Sequence, residues 1–161
     1  MGPTDLPNLP SQDDGAILAQ QSMSTPKQLK EAQRVAFQQQ AIIGELQELV
    51  RDIDRCEKTI VSLNGEMQEV NRKHADRKTT QDDVNFLEDL LACAKKKVVW
   101  EKQLGSLQKR TPDLMKRVEA VVNHPESNPD EKTREALLGA VNAVKAGIDR
   151  LSIAKGGELQ S

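Results

Sequence analysis

Ten positions of this sequence, Ile42, Leu46, Leu49, Ile53, Cys56, Ile60, Leu63, Met67, Val70 and His74, follow one another at spacings of four and three without a break. That alternation keeps one narrow face of an α-helix apolar over more than four heptads, and a seam so long and narrow fits the seam of another helix. Ala32, Val35 and Gln39 continue the register more weakly towards the N-terminus. A second stripe, Phe86, Leu90, Cys93, Lys97, Trp100, Leu104 and Leu107, repeats the spacing. The polar run His74 to Thr79 separates the two, and Thr80 with Asp83 reads as a helix N-cap with its capping-box partner.

An antiparallel hairpin requires the numbers of facing residues to add to a constant. Pairing Val70 with Phe86, Met67 with Leu90, Leu63 with Cys93, Ile60 with Lys97, Cys56 with Trp100, Ile53 with Leu104 and Leu49 with Leu107 satisfies this to within one. Lys97, the polar intruder, can lay its aliphatic stem on Ile60 and carry its charge to water. The same register sets Cys56 and Cys93 roughly 10 Å apart along the hairpin, too far for a disulfide.

Pro26 after Thr25 opens the first helix, and Thr111-Pro112-Asp113 reads as the start of a short one carrying Leu114, Met115, Val118, Val121 and Val122. Asn128-Pro129-Asp130-Glu131 opens the last, whose stripe is Leu137, Val141, Val144, Ile148 and Leu151; Gly156-Gly157 should end it. The expected helices are 26–75, 80–110, 112–122 and 129–154, with a disordered arm at 1–25 and a frayed tail at 155–161. Within that arm, Ala16 to Ala19 is a lone apolar island. Beside the seam, Ile43 and Val50 widen the apolar face of the lower first helix, whereas Glu57, Asn64 and Asn71 occupy the matching positions higher up. The fold expected is therefore all-α: a long antiparallel coiled-coil hairpin whose C-terminal helices fold back into a three-helix bundle at its base.

Composition narrows the function. Aromatic residues are 2% of the chain, too few for the thick core or lined pocket on which small-molecule chemistry depends. The formal net charge is −2, without the strong field of a nucleic-acid binder. Cys56, His74, Cys93 and His124 are scattered, the glycines form no phosphate loop, and the pairs Asp82-Asp83 and Glu88-Asp89 belong on a wet helix surface. No catalytic residue, metal or cofactor is expected. No apolar stretch approaches the ~20 residues of a membrane span, and the opening Met1 to Leu6 lacks the hydroxyl residue of a myristoylation signal, so a cytoplasmic or nuclear protein is expected.

A lone two-helix arm buries little against the entropy of ordering it, so docking on another surface would complete it. The expected function is a non-catalytic protein–protein interaction subunit or adaptor of a larger intracellular assembly, of the cytoskeletal, centrosomal or ciliary, kinetochore or vesicle-transport kind. Its partners would be other coiled-coil or helical proteins, or a second copy. Val61, Leu87, Leu91 and Val98 are apolar but outside the seam, and are the candidate partner contacts. The alternative is a nucleic-acid or anionic-surface module using Arg72, Lys73, Arg77 and Lys78 at the arm tip with Lys95, Lys96 and Lys97 on its side.

Overall fold

The structure, a computed structural model, describes residues 25–160, with side chains to Gly156. The expected disorder of the N-terminal arm and its island at Ala16 to Ala19 lie outside the described residues. Among the described residues there are three helices, α1 (Pro26–Lys73), α2 (Thr80–Val122) and α3 (Glu131–Gln160), and no strand.

The first helix begins where a proline can be accommodated. Thr25 is the N-cap and Pro26 the first helical residue; the Thr25 hydroxyl accepts from the Gln28 amide, and the Gln28 side chain accepts from the Thr25 amide. Helix α1 then runs 48 residues, burying Ile42, Leu46, Leu49, Ile53, Cys56, Ile60 and Leu63 from the predicted stripe, while Met67 and Val70 pack at the core's edge. The chain reverses between His74 and Thr79, so the two helices form an antiparallel hairpin. The cap of α2 falls one residue before the expected one: the Thr79 hydroxyl accepts from the Asp82 amide, and Asp82 accepts from the Thr79 amide.

From α2 the core takes Cys93, Trp100, Leu104 and Leu107, then Leu114 and Val118. Trp100 is fully buried, and its indole Nε1 donates to the Cys56 carbonyl at 3.0 Å, on the pairing read from the sequence. At the tip, Phe86 meets the ring of His74, the last residue of the first stripe, with centroids 5.6 Å apart. Both cysteines are buried and free.

Two expectations about helix ends fail. Pro112 does not start a helix; it lies inside α2, which is continuous from Thr80 to Val122. A proline in a helix interior costs about 3 kcal/mol. Here, burial of Leu114 and Val118 in unbroken register offsets that cost, and the Thr111 hydroxyl donates to the Leu107 carbonyl at 2.7 Å. Likewise α3 does not stop at Gly156-Gly157 but runs to Gln160, and it begins at Glu131, not Pro129. Asp130 caps it, accepting from the Thr133 amide at 2.7 Å.

Helix α3 runs parallel to α1. Thr133 meets Gln40, Gly147 meets Ile53 and Arg150 meets Glu57, a nearly constant offset along the chain. Its stripe of Leu137, Val144 and Leu151 is buried, with Val141 and Ile148 beside it. The loop below is tied to α1 by the buried Gln39, whose amide donates to the Ser127 hydroxyl at 2.7 Å, and by His124 against Glu31 at 3.0 Å. α1 is thus the spine: α2 covers it along the hairpin, α3 covers the lower part, and α3 touches α2 far less than it touches α1. Because α3 runs past the glycine pair, the two-helix arm is shorter than the sequence suggests.

Candidate partner-binding face

The hairpin has two sides, set by the positions on either side of its seam. On one side, residues directly before seam positions recur every seven along both helices, and they meet across the hairpin as ion pairs. Arg117 donates to Glu45 at 2.7 Å, Arg110 to Asp52 at 3.1 Å and Lys96 to Glu66 at 2.6 Å, and Lys73 stands 3.8 Å from Asp89. Thr59 and Gln103 share a groove at the intervening rung. Hydrogen bonds from Arg117 hold the Glu45 carboxyl below its ordinary range; burial alone would raise Asp52, but bonds from Arg110 and Arg55 hold it low as well.

Exposed pairs of this kind are each worth under about 1 kcal/mol, yet together they select a register. The charge order is inverted at the last rung. A slip of one heptad would oppose Glu66 to Asp89 in one direction and Lys73 to Lys96 in the other. The ladder has a sequence signal of its own, opposite charges at heptad spacing with a constant number sum, which the apolar seam alone does not reveal.

The tip carries a second set of contacts. His74 Nε2 lies 2.7 Å from Asp89 Oδ2, and the guanidinium of Arg77 lies 3.9 Å over the Phe86 ring while donating to the His74 carbonyl at 2.9 Å. The hydrogen bond with His74 holds the Asp89 carboxyl low. His74, at the end of the predicted seam, is a clasp between the two helices.

These contacts bear on the basic candidates. Arg72 is paired with Glu69, Lys73 with Asp89, Arg77 with Asp83 and Lys96 with Glu66. Lys78 and Lys95 are exposed, and Lys97 is half-buried in the seam. Four of the seven thus pair with carboxylates of the same hairpin.

The apolar candidates are on the other side. Leu87, Leu91 and Val98 each stand one residue past a seam position of α2, as Val61 does on α1. They are 61%, 55%, 49% and 70% exposed, and Val84, which seam spacing does not single out, is 41% exposed. On this side α3 covers Ile43 and Val50 of α1, and Arg150 pairs with Glu57 at 2.9 Å. Because α3 leans on α1, it leaves the α2 flank uncovered. Val84, Leu87, Leu91, Ala94 and Val98 therefore form an open stripe at spacings of three and four, invisible where seam residues alone are considered.

Among the described residues no cluster of three or more histidine, cysteine or acidic side chains is arranged to hold a metal ion, and no helix is long and apolar enough to cross a membrane. Surface depressions are open grooves edged by long charged side chains, such as that between Val50, Ile53, Glu57 and Arg150. Comparison of the chain with protein-family models, with curated proteins and with solved structures finds no match.

Proposed function

We propose that this protein is a non-catalytic interaction subunit, an adaptor that uses its coiled-coil hairpin to join helical proteins in a larger intracellular assembly. The observation that carries this is the heptad-spaced stripe on α2, exposed on a hairpin whose other flank carries ion pairs at four of its five rungs. A helix with two apolar stripes has two neighbours to satisfy, and α1 supplies one of them. Thin helical layers with open charged grooves support this reading over catalysis, because acid–base and nucleophilic chemistry draws on enclosed, desolvated groups. The pairing of Arg72, Lys73, Arg77 and Lys96 with acids of the same chain weighs against the anionic-surface alternative.

A photo-crosslinking residue placed at Leu87 in cells tests it. Covalent protein adducts should form there and not at Lys109, an exposed position away from the stripe. Adducts at neither position, or equally at both, would contradict the proposal.

A further inference from the structure

We propose that two copies of this chain pair through α2, antiparallel and about a two-fold axis beside Leu91, each laying its Val84 to Val98 stripe on the other's. This rests on the interaction reading above and names the partner. The three-and-four spacing of Val84, Leu87, Leu91, Ala94 and Val98 is a seam in its own right, and a second copy matches it in length and pitch by construction.

Charge selects the direction. Beside the stripe, α2 is acidic in its first turns, with Asp82, Asp83 and Glu88, and basic further on, with Lys95 and Lys102. Parallel pairing would set acid on acid and base on base. Antiparallel pairing about Leu91 brings Glu88 of each copy to Lys95 of the other, and symmetry makes that contact twice. Both side chains are exposed, and neither has an ion pair among the described residues, whereas the ladder on the opposite flank pairs its own. From Val84 to Val98 the stripe spans about 21 Å at 1.5 Å per residue, the small end of interface size, so the dimer is reversible.

Sedimentation equilibrium on the full chain tests this. The mass should rise with concentration from 17.9 kDa towards twice that value. Leu91→Asp should hold it at the monomer while leaving helicity unchanged and melting equal to that of the wild type at dilutions where both are monomers, since Leu91 is exposed. Glu88→Lys or Lys95→Glu alone should weaken the dimer on the order of tenfold, and the double exchange Glu88→Lys with Lys95→Glu should restore it. A wild-type monomer at all concentrations, a dimer indifferent to Leu91→Asp, or a double exchange that fails to recover would overturn self-pairing. A monomer that still crosslinks to another protein through position 87 in cells would overturn this inference alone; a monomer without such adducts would remove both readings.

Discussion

Replacing Gly147 by alanine puts the seating of α3 on α1 to a quantitative test. A Cβ at Gly147 would lie 2.6 Å from Ile53 Cγ2 and 3.6 Å from Ile53 Cβ. Ile53 is buried at the seam, and its Cγ2 branches at Cβ, so it cannot swing aside without leaving a favoured rotamer. Restoring ordinary contact requires the two helices to part by about 1 Å, and overpacking of this kind costs about 1 to 3 kcal/mol. Alanine in place of glycine within a helix returns about 1 kcal/mol, so the net effect runs from neutral to about 2 kcal/mol of destabilisation. Gly65 and Gly105 are the controls, because a Cβ there meets nothing within 4 Å. Each should gain about 0.5 to 1 kcal/mol on conversion to alanine. Gly147→Ala should therefore be about 1 to 3 kcal/mol less stable than Gly105→Ala in urea unfolding followed by far-ultraviolet circular dichroism. In thermal melts the same gap is about 2 to 12 °C for a chain of this size. Ile53→Leu, which removes the branch, should recover part of the loss. If Gly147→Ala stabilises as much as Gly105→Ala, α3 does not sit on Ile53 and the three-helix base is wrong.

Three further outcomes follow from the core and the ion pairs. Trp100→Phe should cost about 1 to 3 kcal/mol in urea unfolding, for the lost hydrogen bond to the Cys56 carbonyl and the space left behind; an unchanged midpoint would place the indole outside the core. Cys56, buried and with its thiol pushed up by that burial, should react with thiol reagents only on unfolding, and mild oxidation of the folded monomer should yield no Cys56–Cys93 bridge. Glu45, Asp52, Asp82 and Asp89 all have lowered carboxyl pKa values when folded, so their contribution is complete above the unfolded values and is lost as pH falls through the folded ones. The melting temperature should hold steady down to about pH 5 and drop below about pH 4, and a rise on acidification would contradict the ladder.

The seams were legible because burial in a two-helix contact depends on spacing alone, and Ile42 to Leu63 occupy the core as spaced. Helix ends were less so. Pro112 and Gly156-Gly157 carry strong local stop signals, but at Pro112 the apolar register continues through Leu114 and Val118, and packing outweighs the local cost. The caps at Thr79 and Asp130 fell within two residues of the expected ones, since Thr79-Thr80 and Asn128 to Asp130 each offer more than one capping side chain. The exposed flank was half legible. Leu87, Leu91 and Val98 stood out as apolar residues outside the seam, but that α3 would lean on α1 and leave them open depends on Ile43, Val50 and Glu57 drawing it there, a tertiary preference that no single stripe encodes.

The fold turns on the reversal of the chain between His74 and Thr79. Spin labels at Lys58 and Lys102, both exposed, measure it by electron–electron dipolar spectroscopy in a background with Cys56 and Cys93 changed to alanine. Folded back as described, the two positions lie level on adjacent helices and the labels should be about 20 to 35 Å apart. A single unbroken helix through Asp76 would separate them by about 66 Å, and that distance would contradict the hairpin and the interaction face built on it.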